Sequence, residues 1–122
     1  MHILHPLHTA MLVSDLEASQ HFYGVVLRLP EVEERPLNFP GVWYQIGDYQ
    51  IHLIVDDSTP NGLHNYQKWG RNRHLALAIA DLDAAQRHIA AHGWDIQASA
   101  SGRPAVFLQD PDGNVIELQQ LG

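Results

Sequence analysis

HTAMLVSDLEASQHFY (8–23) laid over HLALAIADLDAAQRHI (74–89) is the comparison that decides how this chain folds. Six of the sixteen positions are identical (His, Ala, Asp, Leu, Ala and Gln), and most of the others are alike in kind. The match continues downstream, where YQIHLIV (49–55) falls over NVIELQQ (114–120), so that His52 meets Glu117. His8 and His52 are 44 residues apart, and His74 and Glu117 are 43 apart. A repeat of this kind means two copies of one supersecondary unit, neither of which buries its apolar face alone.

Each copy reads as a short aliphatic strand, a capped amphipathic helix and further strands. Residues 7–13 and 74–80 are the opening strands. Ser14 or Asp15, and Asp81, are candidate N-caps for helices at about 15–26 and 82–92, the second with Leu82, Ala85, Ile89 and His92 as its inner stripe and Gly93 as its stop. Strands are expected near 28–35, 42–47 and 49–55, then near 94–100, 104–109 and 114–119. Tight turns at Gly47–Asp48 and at DPDG (110–113) close the last pair in each copy. The expected architecture is α+β: two tandem β-α-β-β-β modules in one domain spanning 1–122. Module one covers about 3–55, a connection covers 56–73 with a helical turn around 62–69, and module two covers about 74–120.

Composition restricts the chemistry. No cysteine is present, so a metal would have to be held by His, Asp or Glu. A net charge of −7 with only 7 Lys and Arg gives no electrostatic footprint for nucleic acid or an anionic membrane, which leaves a small molecule as the expected partner. The N-terminal MHILHPLHTAMLV carries no signal-peptide pattern and is too short to span a bilayer, so a cytoplasmic protein is expected.

Alternation along the strands shows where the candidate ligands point. His74 shares a face with Ala76, Ala78 and Ala80, opposite Leu75, Leu77 and Ile79. His8 lies opposite Thr9, Met11 and Val13; His52 opposite Ile51, Leu53 and Val55; Glu117 opposite Ile116 and Leu118. All four therefore sit on the face away from the helices. A carboxylate there is costly to desolvate without a cation, and a divalent ion would take lone pairs from neutral imidazoles while balancing the charge of Glu117. His2, His5, His21, His88 and His92 read as structural or solvated, and His64 as a residue of a surface loop.

At these residues the sequence resembles the vicinal oxygen chelate superfamily, which includes glyoxalase I, methylmalonyl-CoA epimerase, extradiol dioxygenases and the fosfomycin- and bleomycin-resistance proteins. The resemblance runs from His8 to Gln120 and rests on the paired H-x6-D-L openings (8–16 and 74–82), HFYGVVLRL (21–29) and FLQDPDGNVIEL (107–118). It implies that the modules form an incomplete, partly open barrel around a metal held by His8, His52, His74 and Glu117. It also implies a divalent ion (Zn, Ni, Fe, Mn or Co) and a homodimer, with the site in one chain or shared between two.

The implied activity is that of a metal-dependent enzyme chelating adjacent substrate oxygens, a glyoxalase-like lyase or isomerase with Glu117 as the catalytic carboxylate. The sequence departs from the usual glyoxalase I pattern by offering His52 where that enzyme carries Glu, which leaves Glu117 as the only carboxylate at an implied ligand position. An extradiol-type dioxygenase is the alternative if His8, His74 and Glu117 bind iron without His52; a drug- or metabolite-binding resistance protein without turnover is another. Arg73 and Arg103 have the fork geometry for a carboxylate or phosphate, with surface arginines as the plainer reading. Gln50 and Gln119 share parity with His52 and Glu117 and are candidates to orient them. Only one of Trp43 and Tyr44 can face the ligand side.

Overall fold

In the computed structural model, which describes residues 1–122, the first repeat opens with strand β1 (His8–Val13) and helix α1 (Leu16–Gln20). The helix runs on as a π-helical stretch (His21–Val26) and is followed by β2 (Gly41–Ile46) and β3 (Tyr49–Val55). The second repeat gives β4 (His74–Ile79), α2 (Leu82–Ala91), β5 (Gln97–Ala98), β6 (Ala105–Gln109) and β7 (Val115–Gln120). The chain divides into two compact units, Met1–Thr59 and Pro60–Gly122, and the division falls inside the 56–73 connection.

Both helices start for the same reason. The side chain of Asp15 accepts the Ala18 N–H at 3.1 Å, and that of Asp81 accepts the Ala84 N–H at 3.0 Å, each satisfying a donor that the first helical turn leaves unpaired. Gly93, at φ +71°, closes α2 as expected. The π-helical stretch ends on Arg28, a non-glycine residue at φ +56°. The Leu29 N–H reaches back to the Tyr23 carbonyl at 3.1 Å across that turn.

Sheet order places the candidate side chains. The first unit has the order β1-β3-β2 and the second β4-β7-β6-β5, and both sheets are open. In each unit the opening strand lies parallel beside the closing one, with Ala10 opposite His52 and Ala76 opposite Glu117. Alternation then sorts the faces. Met11 and Val13 of β1 are buried with Ile51 and Leu53 of β3 and with Phe22 and Tyr23, while His8, Ala10 and Leu12 are exposed. In β4 the same alternation is shallower, with Leu75, Leu77 and Ile79 half-buried beside exposed His74, Ala76 and Ala78. Strand β7 has β4 on one side and β6 on the other, and Val115 through Leu118 are all buried.

Four expectations are corrected. The strand near 28–35 shrinks to a single bridge, Glu31 to Tyr44, flanked by hydrogen bonds from Val32 N to Trp43 O and from Gln45 N to Pro30 O. Pro30 has no N–H to extend that ladder and Pro36 lies just beyond it. The strand near 94–100 shortens to Gln97–Ala98, since Pro104 lacks a donor and Gly102, at φ +77°, turns the chain. The helical turn expected around 62–69 is a 3-10 turn at Trp69–Arg71. Asn61 Oδ1 takes the Leu63 N–H at 2.9 Å, an Asx turn that competes with helix at the start of that segment. Finally, His92 is exposed rather than part of the inner stripe of α2. Its Nδ1 donates to the His88 carbonyl at 2.9 Å instead.

Candidate metal and substrate site

The four candidate ligands meet as two pairs, one in each unit. In the first, the imidazoles of His8 and His52 stack with centroids 4.0 Å apart and planes 10° from parallel. The indole of Trp43, opposite His52 in the β2–β3 register, stacks on the other face of His52 at 4.0 Å and 6°. Trp43 is thus the residue facing the ligand side, and Tyr44 is buried on the opposite face near Tyr23.

A relay of amides fixes the tautomer of His52. Its Nε2 lies 2.8 Å from Gln50 Oε1; the Gln50 amide donates to Gln45 Oε1 at 2.7 Å; and the Gln45 amide donates to the Gly47 carbonyl at 2.6 Å. Because a backbone carbonyl only accepts, the direction of every bond in the series follows, and His52 Nε2 must carry the proton. Nδ1 is left with its lone pair. Burial between the two rings, followed by the charges of His8 and Arg35, holds the pKa of His52 below its ordinary value and favours the neutral form that ligation needs.

In the second unit, His74 Nδ1 lies 2.8 Å from the carbonyl of Asn72 and is therefore the donor. Its Nε2 faces Glu117 Oε1 at 3.1 Å. With Nδ1 protonated, a neutral imidazole would set one lone pair against another, so this contact calls for a cation between the two atoms, either a proton or a metal ion. Asn72 is itself buried and fully used. Its Oδ1 accepts from His64 N and Asn65 N at 2.6 and 2.8 Å, and its Nδ2 donates to the Asn65 and Trp69 carbonyls at 2.9 and 3.0 Å. The loop is thereby fixed around the carbonyl that orients His74.

Glu117 is 4% exposed, and Arg103 Nη1 stands 3.2 Å from its second oxygen. The same nitrogen is 3.1 Å from Gln119 Oε1, and Arg103 Nε donates to Ser101 Oγ at 2.9 Å. Part of the charge that the buried carboxylate needs therefore comes from an arginine, which reading by strand parity alone did not pair with it. Phe107 lies opposite Glu117 in the β6–β7 register and meets the His74 ring edge-on at 5.4 Å. Gln50 contacts its histidine directly, whereas Gln119 reaches Glu117 only through Arg103. Arg73 makes no contact with either pair that would give it a role there.

The donor set, three imidazoles and a carboxylate, suits a first-row divalent ion. No three metal-competent side chains gather into one cluster, so the structure carries two two-residue halves. Sequence reasoning missed Gln45, Asn72 and the link from Arg103 to Glu117. Gln45 was within reach, since a tight turn at Gly47–Asp48 sets it opposite Gln50; the other two depend on loop conformation.

Residues 5–118 match the model of the Glyoxalase/Bleomycin resistance protein/Dioxygenase superfamily. The human mitochondrial methylmalonyl-CoA epimerase is 28% identical over 93% of this chain and 72% of its own length. The lactoylglutathione lyase of Haemophilus influenzae is 30% identical over 91% of this chain and 88% of its own. Among solved structures, TnmS3, an antibiotic binding protein from Streptomyces, superposes with a TM-score of 0.77 at 24% identity, covering 100% of this chain and 99% of that one. A glyoxalase/dioxygenase from Nostoc punctiforme gives 0.74 at 23%, covering 100% and 98%. These two show a shared fold. No helix is long and apolar enough to cross a membrane.

Proposed function

The chain belongs to the glyoxalase/bleomycin resistance protein/dioxygenase superfamily, and from that premise we propose that it is a metal-dependent lyase or isomerase acting on a small substrate with adjacent oxygens, as a cytoplasmic homodimer. His8, His52, His74 and Glu117 would hold the divalent ion (Zn, Ni, Fe, Mn or Co), contributed by one chain or by two copies of it. When bound, the ion supplies Lewis acidity toward the two substrate oxygens.

The observation that carries this reading is the 3.1 Å approach of His74 Nε2 to Glu117 Oε1 with Nδ1 already committed to Asn72. The pair is oriented for a cation before one arrives. Glu117 also has the means to move a proton alpha to a carbonyl, because Arg103 holds its Oε2 while Oε1 remains on the side of His74. Trp43 stacks on His52 and Phe107 meets His74, so each half has one apolar wall. The names of the matched relatives, an epimerase and a lyase, support chemistry of this kind.

Metal analysis of the full chain tests the proposal after Zn, Ni, Mn and Fe are supplied in turn. About one equivalent per site is expected, falling in Glu117→Gln and His74→Ala; less than about a tenth of an equivalent with every metal would overturn it. Mixing a His8→Ala/His52→Ala chain with a His74→Ala/Glu117→Gln chain separates the arrangements. Recovery of metal binding on mixing indicates a site shared between copies. An extradiol-type dioxygenase is the alternative reading, in which His8, His74 and Glu117 would form an iron triad without His52. Oxygen uptake with catechols under iron(II) distinguishes that reading.

A further inference from the structure

The chain has twice as many acidic as basic side chains, 14 against 7, yet three of the seven basic ones line a single cleft in the second unit. The cleft measures about 680 Å³, within the range of small-molecule sites, and is bounded by Gln67–Arg71 on one side and Gln97–Arg103 on another, with Phe107 as apolar floor. Lys68, Arg71 and Arg103 line it, and no Asp or Glu does. The walls are braced. Gln97 accepts the Trp69 N–H at 2.8 Å and donates to the Gln67 carbonyl at 2.9 Å, tying the connection to β5. The cleft is therefore shaped in advance of any ligand.

Its cations also retain donors to offer. Lys68 and Arg71 are exposed and make no side-chain hydrogen bond or ion pair within the chain. Arg103 uses Nη1 on Glu117 and Gln119 and Nε on Ser101, which leaves Nη2 uncommitted. Ser99 and Ser101 add hydroxyls on the same wall. Lys68 and Arg71, with unused donors and no acidic side chain in the lining, favour entry of an anion, and Arg103 offers it Nη2 while paired with Glu117 through Nη1.

We propose that this cleft binds an organic anion carrying a carboxylate or phosphate, held by Lys68, Arg71 and Arg103, and that Arg103 is shared between the anion and Glu117. Resting on the enzymatic reading above, this gives the substrate its class: an anionic molecule whose charged end sits in the cleft while its reacting end lies toward His74 and Glu117. An anion that draws on Arg103 competes with Oε2 of Glu117 for the same guanidinium. Occupancy of the cleft and freedom of the carboxylate are thereby linked.

The test is amide NMR titration of the full chain, once as purified and once after chelator treatment, with succinate, inorganic phosphate and the neutral isostere succinamide. Saturable shifts centred on Lys68, Arg71 and Ser99–Arg103 are expected with at least one anion, and binding by succinamide should be at least about tenfold weaker. Succinate alone identifies a carboxylate, phosphate alone a phosphate, and both the shared chemistry. Lys68→Gln and Arg71→Gln should each weaken the anion about tenfold, the loss that follows removal of one charge-assisted hydrogen bond. Equal binding of succinamide, shifts centred elsewhere, or full affinity in both variants would overturn the proposal. Because the titration needs neither metal nor turnover, an anion bound by a chain that holds no metal defeats only the metal reading. Metal held without anion binding defeats only this one.

Discussion

Gly70→Ala probes the packing that supports His74. A Cβ at residue 70 would lie 2.6 Å from Phe107 Cζ and 3.0 and 3.1 Å from its two Cε atoms, inside van der Waals contact. A ring tip on a mobile side chain would swing away at little cost, but Phe107 is 6% exposed and packed with Leu63, Val115 and Trp69. Overpacking of this kind costs about 1–3 kcal/mol. The loss of unfolded-state freedom in replacing glycine returns about 0.4–1 kcal/mol, so the net destabilisation expected is about 1–2 kcal/mol, or a Tm lowered by roughly 3–10 °C in a chain of this size. Urea and thermal unfolding measure it. The clash also has a signature, since Phe107→Leu removes the ring tip and should abolish most of the cost of Gly70→Ala in that background. A Gly70→Ala protein as stable as the parent, or one whose penalty is unchanged alongside Phe107→Leu, would refute the reasoning. Since the Phe107 ring meets that of His74, the imidazole signals of His74 should shift in the Gly70→Ala variant.

Three further outcomes are expected. Asp15→Ala and Asp81→Ala should each cost about 1 kcal/mol in urea unfolding, with Asn recovering most of it at either position, because both carboxylates accept a first-turn N–H in the same way. Tyr44, pushed up to about 12 by burial and then by the charge of Glu31, stays neutral in the folded chain while its unfolded counterpart ionises from 10 upward. Its contribution to stability is complete below the unfolded value and is lost as pH rises through the folded one, a decline of about 2–3 kcal/mol between those two values that Tyr44→Phe should flatten; ultraviolet titration at the tyrosinate band follows the same step. Gln50→Leu should release His52 from the Nε2–H tautomer, read as a change in its ring ¹⁵N shifts, and a variant that keeps the original pattern would show that the amide relay does not set it.

Period-two and helical patterns made most of the fold legible. The aspartates before Leu16 and Leu82 stood where the caps are, and alternation put Met11, Val13, Ile51 and Leu53 inward with His8 and His52 opposite. Where the pattern misled, local backbone chemistry outweighed side-chain character. Residues 28–35 contain Val32 and Leu29 but also Pro30, and a single missing N–H limited the pairing to one bridge. The site was legible to the extent that it depends on parity. Arg103 was noted for its guanidinium, but its seat on Glu117 depends on how the turn after β5 brings residue 103 alongside β7. Asn72 gave no sequence signal because its role rests on loop contacts, its main-chain carbonyl meeting His74 while its side chain holds the chain at His64, Asn65 and Trp69.

By itself the sequence determined the twofold repeat, the α+β class and the side of each strand on which His8, His52, His74 and Glu117 stand, because those follow from periodicities of the backbone that any neighbour must respect. Only the tertiary structure decided which nitrogen of His52 and of His74 is committed, what neutralises the buried carboxylate and where the unspent cations gather. Those depend on contacts a few ångströms long between residues far apart in the chain, and a hydrogen bond is specified by where two atoms meet rather than by which residues carry them.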